Sequence, residues 1–480
     1  MTPQFASASR ATFQNELRLL LRDSFCVALL VCFSLGLACA SWKSNSLWRG
    51  FSIQQAELQA AAREAWLSQP TDNAHMATHY GQTVYKSISP LAGFDPGAIS
   101  DFGSTLFLQS HRQSTATHTP LRDEISLDQN EAYSPAVLLA IIGPLLIIIL
   151  GSASIAREKE GGTLSILLTT GASWPAIIAG KSIAILLTLF IVATPGLLLF
   201  AIPWFERHSF MHPSELIARE TVILVMMAAY YIGWLGLTML VASKANSSMS
   251  SFSVLIALWS VVVLVIPRVS GDVATFVSPL PTQAEIRLEK ENAVHEANQS
   301  SIEIAKANKA LEAKLLEEFQ VDRIEDLPID MAGAQMIDQE TITNRIYDEI
   351  DERVTQATHR QNSVMDGFQL ASPFLAMRAI STSLSATDRG HHIDFVNAAE
   401  NYRRQFVKEL NLAEMQNQTP GNSAEERRDF WAQISAFLPN FVSSLEAVKR
   451  SKIAVICIFV WALAMGIAAF LAPPQISRVQ

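Results

Sequence analysis

Six apolar runs, at about residues 24–42, 136–156, 182–204, 218–242, 250–267 and 451–472, constrain this chain more than any other feature. Each approaches the ~20 residues that a helix rising 1.5 Å per residue needs to cross ~30 Å of hydrocarbon. Inside a bilayer, where backbone groups find no water, a helix satisfies its own N–H and C=O groups. The runs therefore predict an all-α polytopic membrane protein with six spans. The 480 residues are 49% hydrophobic and 17% charged, too apolar for an ordinary soluble protein and too charged for one embedded throughout. Most of the charge lies in two polar stretches, 43–135 and 268–450, each long enough for a folded domain.

Lys and Arg in the short loops set the expected orientation. Arg10, Arg18 and Arg22 precede the first run, Arg157, Lys159 and Lys181 follow the second, Lys244 follows the fourth, and Arg478 lies in the tail. On a six-span map these share one side, so both termini are expected in the cytoplasm and both polar stretches outside. The short opposite loop, 205–217, has Arg207 offset by Glu206 and Glu215. Lys449, Arg450 and Lys452 break the pattern, but they follow a long loop, where the rule has little force.

Residues 1–23 carry a second signal. Phe13, Leu17, Leu20, Leu21 and Phe25 recur at helical spacing with Glu16, Arg18 and Arg22 between them. That pattern predicts an amphipathic helix lying along the membrane surface, and it favours a retained anchor over a signal peptide ending at Ala38-Cys39-Ala40.

The first polar stretch begins with a helical piece at about 51–68 and then becomes loop-rich around Pro90, Gly93, Pro96 and Gly97. The second predicts helices at about 282–318, 332–366, 391–416 and 423–447, and holds 29 acidic against 19 basic residues of a chain with net charge −9. Nucleic acid is not a partner that such a balance favours; a solvated acidic surface is the simpler reading. The four cysteines, Cys26, Cys32, Cys39 and Cys457, sit in the first and last runs as small hydrophobes, so the polar stretches fold without disulfides.

Catalytic signals are weak. Gly180-Lys181-Ser182 ends what would be a phosphate-binding loop of the form G-x-x-x-x-G-K-[ST], but Pro175 stands where its first glycine belongs. A small residue and a snorkelling lysine at the start of a span explain it better. His391-His392 lies near Asp388, Asp394 and Glu400, yet adjacent histidines on a helix diverge by ~100° and lack metal-ligand spacing. Capping and packing at a helix start are expected there instead.

One loop is distinctive. The second run ends on Arg157-Glu158-Lys159-Glu160, followed by Gly161-Gly162-Thr163-Leu164, a half-apolar segment, and Gly180-Lys181 before the next run. This resembles the cytoplasmic loop of type-2 ABC transporter permeases, the membrane subunits that pair with a separate ATPase. The segments His79–Gly97, Leu106–Gln113, Asp326–Gln335 and Ser372–Arg404 extend the resemblance to a bacterial subgroup with two large periplasmic insertions and a domain of unknown function. The glycine pair departs from the single glycine of that pattern and leaves the start of the coupling helix open.

The resemblance implies an inner-membrane subunit with an elbow helix (Phe13, Leu17, Arg18, Leu20, Leu21, Arg22) and a coupling loop over 157–181. In that loop Arg157, Glu158, Glu160, Gly162, Thr163, Leu164, Leu167 and Leu168 would meet the ATPase, the leucines forming one apolar docking face. It implies periplasmic domains at 43–135 and 268–450, a second permease chain in a homo- or heterodimer, the lipid bilayer and a periplasmic protein as partners, and no cofactor or catalysis of its own. A mechanotransmission protein that works on periplasmic partners without moving a substrate is the alternative.

Overall fold

In the computed structural model the described residues are 3–99, 102–113, 134–200, 211–299, 301–438 and 441–473. The end of the third expected span (201–204), Arg207 and Arg478 lie outside them.

The N-terminal helix α1 (Pro3–Arg22) stops where Asp23 accepts hydrogen bonds from Phe25 N and Cys26 N and so caps α2 (Ser24–Leu67). The first apolar run and the helical piece expected at 51–68 are one helix of 44 residues, since no proline interrupts them. The other elements in the plane of the apolar runs are α4 (Pro135–Glu160), the short α5 (Thr163–Thr169), α6 (Trp174–Leu198), α7 (Pro213–Lys244), α8 (Ser248–Trp259), α9 (Ile266–Val277) and, last in the chain, α17 (Lys452–Leu471). Six helices, counting α8–α9 as one, are long and apolar enough to cross a bilayer. This is the architecture of a multi-pass membrane protein. α4, α6 and α7 form its inner layer, while α2, α8–α9 and α17 leave most of their apolar surface facing outward.

Between α8 and α9 the helix widens into a π-turn over Ser260–Val265. Pro267 has no N–H to offer the Val262 carbonyl, and the Ser372 hydroxyl donates to it instead at 2.7 Å.

The polar stretches give α3 (Ala74–Tyr80), an antiparallel hairpin of β1 (Gln82–Tyr85) and β2 (Thr105–Leu108), and the helices α10 (Gln283–Gln299), α11 (Ser301–Phe319), α12 (Met331–Phe368), α13 (Pro373–Leu384), α14 (Arg389–Met415), α15 (Ala424–Gln433) and α16 (Ser444–Arg450). The helix expected over 423–447 is therefore two, α15 and α16. More importantly, the two stretches are not separate domains. Trp66 of α2, Val84 and Leu106 of the hairpin, and Phe395, Phe406 and Trp431 of α14 and α15 share one core. Trp66 Nε1 donates to the Trp431 carbonyl at 3.1 Å. Beside a small cluster of its own around Trp48, Ile88, Ala92 and Ile99, the first stretch has only two four-residue strands and a seven-residue helix after α2, so it borrows the helices of the second for the larger core.

This composite domain is fastened to the bundle by buried charge. Arg219, near the start of α7, donates to the carbonyls of Leu384 and Val442 and pairs with Glu215, which itself accepts from Ser444 N. α13 packs Met377, Ile380 and Leu384 into the same core as the bundle helices.

Candidate functional site

The last turn of α4, which leads into the connection to α6, is built from charges, three of which bind other parts of the chain. α4 ends where Gly161 N donates to the Arg157 carbonyl, and Gly162 takes φ +69°, a left-handed conformation that a side chain would strain. Glu158 pairs with Lys181 of α6 at 2.9 Å. Lys159 donates to the Ala245 carbonyl just past α7, at 3.0 Å. Glu160 accepts from Ser248 N and its hydroxyl, at 2.8 and 3.0 Å, at the start of α8. Arg157 is exposed. The cluster thus ties the ends of α4, α6, α7 and α8 together.

Lys181 corrects the snorkelling reading. It is 1% exposed, and its ammonium donates to Glu16 Oε2 at 2.7 Å and the Ser154 carbonyl at 3.0 Å in addition to Glu158. Glu16 also accepts from the Ser154 hydroxyl at 2.7 Å. Gly180 lies in α6 against α1: a Cβ there would sit 2.5 Å from the Ser9 carbonyl oxygen and 2.9 Å from Phe13 N. The Gly-Lys pair is where α1 docks on α6, the glycine allowing close approach and the lysine reaching Glu16.

The side of α1 that meets the bundle holds Phe13, Glu16, Leu17 and Leu20, whereas Leu21, Arg18 and Arg22 face outward. Leu21 was expected on the apolar stripe and Glu16 beside it; the buried lysine draws Glu16 in.

The docking face expected from Leu164, Leu167 and Leu168 also needs correction. Leu164 is 2% exposed and belongs to the chain's own core, against which Leu167 and Leu168 are packed. The outward side of α5 consists of Thr163, Ile166, Thr169 and, just beyond, Thr170, with Ile166 62% exposed. The helical periodicity marked a buried stripe, and its partner is α5's own protein.

A second polar centre lies in the composite domain. Arg403 of α14 is buried and spreads its guanidinium over Glu400 (2.8 and 2.9 Å), Asn344 Oδ1 (2.5 Å), Glu340 Oε2 (3.3 Å) and the Gln109 carbonyl (3.4 Å). Burial acts to raise the Glu340 carboxyl, but the hydrogen bond from His111 and the Arg403 charge outweigh it and hold the pKa below the usual value. Glu340 Oε1 holds His111 through both backbone N (2.5 Å) and ring Nδ1 (2.9 Å). His111 has φ +59°, an uncommon conformation for a non-glycine residue.

Beside His111 stand His75 and His79 of α3, with ring centroids 5.9 and 5.4 Å from it. Burial and the neighbouring imidazoles lower the His79 pKa. Sequence reasoning missed this group, although His75 and His79 carry an H-x-x-x-H spacing that places both on one helix face.

His391 and His392 are where helix-start packing was expected. Asp388 caps α14 by accepting from His391 N at 2.9 Å, and His391 Nδ1 also meets it at 2.5 Å. His392 stacks on Phe102 at 4.5 Å.

With this geometry in place, residues 287–440 match the family described as Domain of unknown function (DUF3526). The match spans less than half of the chain and includes Glu340 and Arg403 but none of the three clustered histidines. No curated protein and no solved structure matches.

Proposed function

We propose that the chain is the membrane-spanning permease subunit of an ABC transporter in a bacterial inner membrane, paired with a second permease chain and driven by a separate ATPase. The observation that supports this reading is the α4–α5–α6 connection: a short helix at the bundle's end whose apolar side is anchored inside and whose other side is free. On this reading the free side lies in the cytoplasm, and Thr163, Ile166, Thr169 and Thr170 meet the ATPase. Leu164 then passes the displacement into α4 and α6, and the Glu16–Lys181–Glu158 cluster makes α1 move with them. Export of a substrate, with the composite domain in the periplasm, fits this arrangement.

The test separates docking from folding. Ile166→Asp, at an exposed position, is expected to abolish co-purification with the cognate ATPase without lowering the permease's own unfolding temperature. Burying this side chain in a partner would contribute roughly 1.5–3 kcal/mol. Leu164→Ala should instead cost the permease about 2–5 kcal/mol of its own stability. Unchanged ATPase binding by Ile166→Asp would remove the coupling assignment.

The second reading, mechanotransmission, draws support from α2, which runs unbroken from its apolar first half to the Trp66–Trp431 contact. ATP-dependent movement of a substrate in vesicles holding permease and ATPase would decide against it.

A further inference from the structure

We propose that His75, His79 and His111 form a binding site for a divalent transition metal, Zn2+ by ligand type, on the composite domain. The site is independent of the permease reading.

Two of the ligands come from one turn of α3, at i and i+4, and their Nε2 atoms are 3.3 Å apart. Two nitrogens bound at about 2.0–2.1 Å to a tetrahedral ion are separated by about 3.3–3.4 Å. The third comes from the turn after β2. One ring nitrogen of each histidine lies within 4.8 Å of the others. A movement of about 1.5 Å or less in the His111 ring, whose side chain is 41% exposed, completes a tripod of tetrahedral size.

The second nitrogen of each ring is already engaged. His75 Nδ1 meets Asn411 Oδ1 at 2.9 Å, His79 Nδ1 meets Ser110 Oγ at 3.3 Å, and His111 Nδ1 meets Glu340 Oε1 at 2.9 Å. The Asn411 and Glu340 oxygens are acceptors, so the proton of those two imidazoles sits on Nδ1 and the Nε2 lone pair is left for a metal. Metal-bound histidines are held in this manner, by a carboxylate or other oxygen behind the ring. Without an ion, one of the paired Nε2 atoms of His75 and His79 must carry a proton toward the other, and His75 is the one whose proton is committed elsewhere.

The left-handed backbone of His111 points to the same purpose. Its N–H and its ring are both bound by Glu340, and its carbonyl accepts from the Tyr347 hydroxyl at 3.2 Å. Three contacts from α12 thus hold a turn residue in a conformation that costs energy. Three imidazoles and no thiolate or carboxylate in the first sphere suit zinc, copper or nickel and do not suit Mg2+ or Ca2+. The exposed side of His79 leaves a fourth position for water. Because His75, His79 and His111 come from the first polar stretch and Glu340 and Asn411 from the second, a bound ion would lock the two together.

Full-length chain purified without a histidine tag and stripped with a chelator would be titrated with ZnCl2 against a chromophoric competitor. One equivalent per chain is expected to bind, with a rise in unfolding temperature. His79→Asn and His111→Asn should each lose that equivalent while keeping the wild-type circular dichroism, both rings being partly or fully exposed. Asn411→Ala should weaken binding about 10–100-fold, and His359→Asn, an exposed histidine elsewhere, should leave it unchanged. Absence of saturable binding by the wild type, or a full equivalent retained by both histidine variants, would overturn the proposal.

Discussion

Lys181 and Arg403 are both shut away from solvent among carboxylates, but the hydrogen bonds around them end differently. An ammonium has three donors, and Glu16, Glu158 and the Ser154 carbonyl take all of them. The lysine keeps no donor for a ligand, although Glu158 Oε2 is buried there without a hydrogen-bond partner. Arg403 spends its donors on Glu400, Asn344, Gln109 and one oxygen of Glu340, and the other oxygen of Glu340 holds His111 at the surface. The donors of Lys181 all end inside the bundle, whereas the Arg403 network continues through Glu340 to a rim of imidazoles. A buried charge therefore says little about function until each donor and acceptor has been followed to its end.

The comparison breaks most visibly at Lys181. Lys181→Met leaves Glu16 and Glu158 buried without their cation, and removing one partner of such a group costs about 3–5 kcal/mol. Thermal unfolding in detergent should show the loss, and adding Glu16→Gln should recover part of it. A wild-type unfolding temperature for Lys181→Met alone would refute the account of Lys181 as a structural tie.

A smaller effect separates the composite domain by pH. Burial, helped by the positive charges of Lys86 and Arg389, holds His392 at a pKa of about 4 instead of 6.5. The unfolded imidazole takes up its proton as pH falls through 6.5, whereas the folded one waits until about 4. Stability is thus full above pH 6.5 and falls by about 3 kcal/mol between 6.5 and 4. His392→Phe, which can keep the stack on Phe102, should flatten that part of the stability–pH curve; an unaltered slope would place the titration elsewhere.

The smallest effect is expected at Arg428, whose exposed ion pair with Glu64 (2.6 and 2.9 Å) joins α15 to the tip of α2. Arg428→Ala should leave the unfolding temperature unchanged, because exposed pairs contribute little and Trp66 against Trp431 already makes the junction. A clear drop would shift the weight of that junction from the core to the surface.

The six apolar helices were legible because bilayer thickness sets their length, a property of each run alone. The role of Lys181 was not, since Glu16 is 165 residues away and a lysine near a span's end reads the same whether it snorkels or pairs. At α5 the spacing of Leu164, Leu167 and Leu168 announced a buried face, and periodicity cannot say against what. The H-x-x-x-H of α3 was readable, but His111, Glu340 and Asn411 reach it only through tertiary folding. The shared outer core was hidden for the same reason.

That shared core also sets a schedule. Trp66 and the carbonyl it binds at Trp431 are 365 residues apart, and at roughly 5–20 residues per second about 20–70 s separate their synthesis. Over that interval Trp66, Val84, Leu106 and Leu108 have been made, while the helices that cover them have not. Newly made chain must therefore keep an apolar hairpin from premature pairing until its last quarter arrives, and any truncation before α14 leaves that surface permanently uncovered.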